Sequence, residues 1–409
     1  MRQFMIIFGL LFTILKLNAQ DTVTYTQVDS TIHICYKDGR WKELITMANK
    51  ALKSSIDYKI LRQLMGYSYF MTGKYVQAQK QYEKALEFDT SDDITKLYLY
   101  YCGLYTGNNV YTRYRSSLLG DATKKYLKIK STKMLEAIDL EYNYRSNDSK
   151  IRSNPSYYRL GINTQLLDRL SIYQSGSFFQ QGIESGVLGM QAEYYLKTNF
   201  VLNAYSTLDA AYHFVHTNVN KESSVRQLND TLKGDLFYSK FSTKIAFLDL
   251  TLGGSVLRQD TIGFCNRMIG SKYFNQLDAS IGFTIPKALF LTFKSSASYL
   301  YQMDQSFHPF NSRWVFNQKI GFAPHKSIWV EANVTNGNMM NFQDKDALYL
   351  YNSVDASTLR TGGSVYWSCL FHLTLVLNYG FDKKELINPD FTKQLYNQHS
   401  FSGGVIWKL

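Results

Sequence analysis

The stretch FSGGVIWKL at positions 401–409 sets Phe401, Val405, Trp407 and Leu409 on alternate positions, with Gly403 in the same row. Ser402, Gly404 and Lys408 fill most of the other row. A period of two predicts a strand with two unlike faces. The clearest case is FVLNAYSTLDAAYHFVH, where Phe200, Leu202, Ala204, Leu208, Ala210, Tyr212 and Phe214 share one face and Asn203, Thr207, Asp209 and His213 the other. This period holds from about Met134 onward, whereas residues up to about Lys130 carry helical spacing. The chain therefore divides into segments 1–19, 20–130 and 131–409.

Two architectures fit such strands. A soluble sandwich turns its polar face to water, and a transmembrane barrel turns its apolar face to lipid. Length favours the barrel, because the strands run about 10 to 15 residues, against five or six in ordinary sheets. The pattern predicts fourteen strands (133–145, 157–167, 170–181, 185–196, 200–216, 234–247, 249–260, 272–285, 288–302, 312–322, 327–337, 358–368, 371–382 and 396–409), with twelve as the alternative count. Tight turns are placed at Asp168-Arg169, KTN from 197, Leu248-Asp249, Pro286-Lys287, PHK from 324 and SCLF from 368. Long polar loops such as VNKESSVRQLNDTLK and GNMMNFQDKDALYLYNSVDAS alternate with them. Short turns at one rim, long loops at the other and an even strand number are the features of an outer-membrane barrel, with both ends at the periplasmic rim.

Aromatic residues near strand ends, Tyr157-Tyr158, Tyr194-Tyr195, Tyr299, Tyr301, Trp314, Trp367 and Trp407, are assigned to two interfacial girdles. In this arrangement Leu208 faces lipid at mid-span and Asn203 faces the lumen. Charges of both signs fall on the inward row: Arg159, Glu193, Asp209, Lys240, Lys244, Asp278, Lys294, Lys319, Glu331 and Arg360. They read either as ion pairs that fill the interior or as the lining of a hydrophilic conduit.

In the helical segment Gly39, Gly73 and Gly107 recur every 34 residues, as do Ala51 and Ala85. The unit LMGYSYFMTGKYVQAQKQYEKALEFD resembles the tetratricopeptide repeat, with Gly66, Tyr69, Gly73, Tyr75, Ala78, Tyr82 and Ala85 at the family's positions. Thr90 stands where that family usually has Pro, and Arg62 where it often has an aromatic residue. The first unit keeps Gly39, Trp41 and Ala51, and the third keeps little beyond Gly107. Small residues at Gly66 and Ala78 let two helices cross closely, and Tyr69 and Tyr82 fill the space between units. The array serves either as a docking base for the strands or as a groove for a protein partner.

The first twenty residues, MRQFMIIFGLLFTILKLNAQ, place Arg2 before an apolar run from Phe4 to Leu17 and a small Ala19, the order of a secretory signal peptide cleaved after Ala19. The run is shorter than the roughly 20 apolar residues of a helical span, and Lys16 interrupts it. No Cys follows it to carry a lipid anchor. A formal charge of +12 is spread along the chain among acidic residues, without a basic tract or nucleic-acid motif, so no nucleic-acid partner is assigned. Cys35, Cys102, Cys265 and Cys369 form no metal or disulfide pattern. His213 and His216 are three apart in a strand and point to opposite faces, and His372 with Ser364 or Ser368 lacks an orienting carboxylate. No enzyme and no cofactor are assigned.

A signal peptide, a few tetratricopeptide units and a barrel of this length resemble the YaiO-type outer-membrane β-barrel family. The layout is more distantly similar to the exopolysaccharide-export porins, which join a longer repeat superhelix to a barrel. The resemblance implies an outer-membrane barrel with periplasmic repeats that dock a protein partner and assist export of a polar polymer such as a polysaccharide. The alternative is a non-conducting structural or assembly scaffold. Conductance separates the two.

Overall fold

The computed structural model describes residues 23–409 except 150–151, 184–186, 222–227, 246, 264–266, 286–289, 304–308, 353–354, 371 and 388–392. The expected signal peptide and the Pro286-Lys287 turn lie outside the described residues. The chain forms one unit up to Leu127 and a second from Lys128.

The first unit contains α1 (Tyr25–Lys37), α2 (Trp41–Lys53), α3 (Lys59–Met71), α4 (Tyr75–Phe88), α5 (Asp93–Thr106), α6 (Asn109–Ser117) and the short α7 (Asp121–Tyr126). Its 34-residue period is built into the turns. Gly39, Gly73 and Gly107 all have positive φ, at 69°, 73° and 67°, a conformation that a side chain resists. In each case the following amide bonds back into the preceding helix: Arg40 N to Cys35 O at 2.8 Å, Lys74 N to Tyr69 O at 2.9 Å and Asn108 N to Gly103 O at 3.1 Å. The third hairpin thus repeats the first two although its side chains have diverged.

Small residues set the helix spacing. A Cβ on Gly66 would lie 3.1 Å from the Tyr82 ring, and one on Gly103 would lie 2.6 Å from the Thr112 hydroxyl. Tyr82 is buried and stacks on Tyr98 with centroids 5.1 Å apart, while Ala78 and Ala85 are buried beside it on α4. Tyr75 stacks on Tyr105 at 4.7 Å, and Tyr69 packs at the edge of the core formed by Val28, Ile32, Leu44, Ala48, Ala51, Leu61 and Met65.

The second unit is a closed antiparallel barrel of fourteen strands. These are β1 (Lys133–Asn147), β2 (Ser156–Leu167), β3 (Leu170–Ile183), β4 (Val187–Val201), β5 (Ser206–Lys221), β6 (Leu228–Ile245), β7 (Leu248–Gly263), β8 (Arg267–Ile285), β9 (Leu291–Met303), β10 (Pro309–His325), β11 (Ile328–Asn336), β14 (Ala356–Leu370), β15 (Leu373–Ile387) and β16 (Lys393–Lys408). Two short strands, β12 (Gln343–Asp344) and β13 (Tyr349–Leu350), form a separate ribbon between β11 and β14. Closure pairs β1 with β16, for example Ile138 with Trp407 and Tyr144 with Phe401, so no sheet edge is left open.

Two turns are displaced from their sequence expectation: Leu248 and Asp249 lie inside β7, paired with Ile245 and Lys244, because the ladder with β6 continues to Ile245; the second displacement is larger. KTN from 197 lies inside β4, and the chain reverses at Leu202–Tyr205 instead. The cause is Asn203, whose Oδ1 accepts the amides of Tyr205 at 2.8 Å and Ser206 at 2.9 Å, a side-chain turn that outcompetes continued pairing. Asn203 is therefore a turn residue rather than a lumen residue, and Leu208 sits two positions into its strand rather than at mid-span. The loop expected at VNKESSVRQLNDTLK is also shorter, because β5 runs to Lys221 and β6 begins at Leu228.

Alternation divides each strand between two surfaces. On β5 the outward row reads Leu208, Ala210, Tyr212, Phe214 and then His216 and Asn218. On β6 it reads Ile245, Phe241 and Phe237, then Asp235 and Lys233. On β7 it runs from Leu248 through Leu252 and Val256 to Arg258 and Asp260. An apolar outer belt thus lies toward the rim of the short turns and both barrel ends, and the outer surface becomes polar toward the other rim. Leu252 is 65% exposed on the outer face and Leu257, an odd position of the same strand, 0%. Tyr158 and Tyr194 project outward, but Tyr157 and Tyr195 are buried inside, so only one member of each tyrosine pair can belong to an outer girdle.

Candidate functional site

The barrel interior is occupied by residues 337–352, which leave β11 and fold inward, with Asp355 at the return to β14. The entry is set by Gly337, whose φ of 126° suits glycine and where a Cβ would run into the Trp314 carbonyl. Its amide donates to Thr358 O at 3.0 Å, and Met339 N donates to Ser357 O at 2.9 Å. Met339 and Phe342 pack on Leu300 of β9 and Val315 of β10. Arg313 donates to the Asn338 and Met340 carbonyls. At the return, Asp355 accepts a two-pronged contact from Arg152, at 2.8 and 2.9 Å, and the Tyr396 hydroxyl at 2.8 Å.

Deeper in, Gln343 exchanges two hydrogen bonds with the Gln276 side chain of β8, at 3.0 and 2.9 Å. The Tyr349 hydroxyl donates to Glu141 of β1 at 2.7 Å, and Arg159 of β2 lies 5.8 Å from the centre of the Tyr349 ring. Asn352 donates to Gln191 of β4 at 2.7 Å, and Arg360 of β14 donates to the Tyr351 hydroxyl. These anchors lie around the whole circumference, so the segment is a plug rather than a rim loop.

The tip of the plug carries the densest contacts. Asp346 lies between Lys197 of β4 and Lys240 of β6, at 2.5 and 2.6 Å. Both ammonium groups also approach Asp209 of β5, at 3.4 and 3.2 Å. The Asp346 carbonyl accepts the Tyr195 hydroxyl at 2.8 Å, and the Ala347 carbonyl lies 2.8 Å from His213 Nδ1. Ala347 itself is buried among Tyr195, Ala211, Leu236, Tyr238, Leu257 and Phe274. Lys345, Asp346 and Ala347 have φ of 49°, 62° and 64°. Three consecutive non-glycine residues in the left-handed region cost roughly 1–2 kcal/mol each, which the tip contacts offset. A cavity of about 240 Å³ adjoins the tip, lined by Asn163, Ser171, Tyr173, Tyr195, Lys197, Asn199, Lys345 and Leu348.

The ten charged positions singled out from the sequence all project inward, with distinct partners. Arg159 contacts Glu141 at 2.8 Å and Asp139 at 3.3 Å. Glu193 accepts Ser177 at 2.6 Å and lies 3.4 Å from His213 Nε2. Asp209 and Lys240 belong to the cluster at the plug tip. Lys244 faces Asp249 at 3.9 Å, near the short-turn rim. Asp278 accepts Gln276 and Ser298. Lys294 stands opposite Lys319 in register, and Lys319 contacts Glu331 at 2.5 Å. Arg360, besides Tyr351, has Asp382 at 4.0 Å.

Sequence reasoning missed Lys197, Tyr195, Asp346 and the plug. Lys197 was hidden by the misplaced turn. The plug carried a signal: Met339, Met340, Phe342, Ala347, Leu348 and Leu350 are too many apolar residues for a wholly solvated loop.

Fold and site together define a closed fourteen-stranded barrel with an internal plug. No family model and no curated protein matches the sequence. Among solved structures the chain is similar to the CymD monoaromatic hydrocarbon channel (8% identity, 68% of this chain and 89% of that one, TM-score 0.45). It is also similar to the Pseudomonas putida toluene transporter TodX (8% identity, 74% and 94%, TM-score 0.45). A third similarity is to the translocator domain of the Neisseria meningitidis autotransporter NalP (9% identity, 70% and 92%, TM-score 0.37). Similarities this remote leave the hydrocarbon and toluene of those names with those proteins.

Proposed function

We propose that this is an outer-membrane barrel of the YaiO type, exported by its N-terminal signal peptide, that passes a polar polymer such as a polysaccharide outward. On this reading the helical hairpins are periplasmic tetratricopeptide repeats that dock a protein partner. The observation that carries the reading is the inversion of the barrel, with its apolar belt outside and its charged residues inside. In water the exposed belt would drive association, whereas in lipid it is solvated and the closed ladder leaves no unpaired backbone group. The interior suits a polar cargo, since beside the apolar patches that hold the plug its lining offers carboxylates, ammonium groups, amides and hydroxyls.

The plug supports a second reading, a non-conducting scaffold, because it fills the interior along much of its length. Bilayer conductance of the full-length protein and of a variant with residues 338–354 replaced by a short Gly-Ser linker separates the two. A conduit gains a large, steady conductance when the plug is removed. A scaffold whose wall side chains close the lumen gains none.

A further inference from the structure

Three of the four charged groups in the salt-bridged cluster around Asp346 belong to the barrel wall. Lys197, Lys240 and Asp209 are held by β4, β6 and β5, and only Asp346 arrives with the plug. With the plug withdrawn, the wall would keep two ammonium groups against one carboxylate. That is a seat for one further anion. It lies four residues from the end of β4 and five from the end of β6, about 13–17 Å along the strand from the short-turn rim. From the wall, the adjoining cavity brings aromatic faces from Tyr173 and Tyr195 and amides from Asn163 and Asn199. Aromatic faces with amide and hydroxyl partners suit a sugar ring, and ammonium groups suit a carboxylate on it.

Building on the conduit reading above, we propose that Lys197 and Lys240 form a binding seat for the carboxylate of an acidic sugar polymer. Asp346 fills this seat while the plug is in, so that the cargo displaces the plug by taking its place. The exchange is close to balanced for the wall: one carboxylate leaves the lysine pair as another arrives, and no buried ammonium group is stranded. It also lets Lys345, Asp346 and Ala347 leave the left-handed region, so departure of the tip relieves a cost that its contacts otherwise offset. A neutral polymer cannot make this exchange, since it would leave two lysines facing one aspartate.

The test is single-channel recording of the full-length protein in planar bilayers. The probes are oligogalacturonate, a neutral maltodextrin of equal length, and a cationic chitosan oligomer. Oligogalacturonate added on the short-turn side raises the open probability by about tenfold or more, since its carboxylate gives the lysine pair of the open barrel the charge-assisted contact that it otherwise lacks. The other two polymers leave it unchanged. Asp346→Asn opens the barrel without any polymer, Asp346→Glu restores closure, and Lys197→Gln with Lys240→Gln abolishes the response to oligogalacturonate. Heat-modifiable migration in gels reports that each variant is folded. If the plug-deleted barrel conducts but the three polymers act alike on the wild type, or Asp346→Asn stays shut, the seat is wrong and the conduit stands. If the plug-deleted barrel conducts nothing, the conduit reading falls and the seat with it.

Discussion

Leu252 lies near the centre of the apolar stretch of β7, which runs outward from Leu248 to Val256. In register it stands between Phe241 on one side and Ala279 on the other, and it is 65% exposed. Replacing it with Arg puts a guanidinium group into the part of the surface assigned to lipid. At a bilayer midplane that costs roughly 2–4 kcal/mol, falling to about 0–1 near the interface. Because each 1.4 kcal/mol is tenfold, Leu252→Arg shifts the folding equilibrium in lipid by roughly 30- to 700-fold. Leu208→Arg, two residues from its turn, costs less, since the side chain can reach the rim. Thr251→Arg, next in sequence but on the inward row with Lys240 and Lys244, costs least. Urea titration of the three variants in lipid vesicles, read by heat-modifiable migration, checks the order. If Leu252→Arg is no more damaging than Thr251→Arg, the apolar belt does not face lipid and the barrel is not a membrane span.

Three further outcomes follow from the structure. Deleting residues 21–130 while keeping residues 1–20 leaves a barrel with unchanged heat-modifiable migration, because its ladder pairs strands between Lys133 and Lys408; affinity capture with the full-length protein and with this variant tests the proposed docking role, which requires a protein captured by the first and lost from the second. Tyr82→Ala removes the ring wedged between Gly66 and Tyr98 and costs the helical unit about 3–5 kcal/mol, as for other buried aromatic side chains, visible as an earlier transition in its thermal melt. Burial, with a smaller contribution from the Glu83 charge, pushes the Cys102 thiol up to about 12. Cys102 therefore stays unlabelled by maleimide at mildly alkaline pH and is labelled after urea, as peptide mass spectrometry will show.

What the sequence disclosed depended on which physical signal each element needed. Alternation was enough to find all fourteen barrel strands, because lipid-facing and lumen-facing rows differ in polarity at every step. It could not place the turn after β4, where one asparagine side chain decides between KTN and LNAY. Nor could it split Tyr157 from Tyr158 or Tyr194 from Tyr195, since a tyrosine satisfies an outer girdle as well as a polar interior. In the helical unit the opposite holds. The third hairpin has lost most of its characteristic side chains, yet Gly107 alone preserves the turn, because a left-handed residue at that point is what sets the direction of the next helix.

The plug is the instructive failure, because its concealment follows from the barrel itself. A segment buried in an ordinary core must be apolar, and hydrophobic runs therefore reveal it. A segment buried in the lumen of an inverted barrel meets Glu141, Gln191, Lys197, Lys240, Gln276, Arg313 and Arg360 instead. It needs donors and acceptors at matching positions, and a solvated rim loop has the same composition. Residues 337–352 resolve that ambiguity only through what solvent would not require: a glycine at 337 to enter beside the Trp314 carbonyl, a few apolar side chains to pack on Leu300, Val315 and Leu257, and one aspartate flanked by residues that hold a left-handed turn. The same polarity that hid the plug makes it removable. Its polar contacts are ones that water or a hydrated polymer can replace, so the cost of leaving falls chiefly on the apolar surface of Met339, Phe342, Ala347 and their neighbours. On the proposed conduit reading, such a plug yields to a ligand that supplies equivalent contacts.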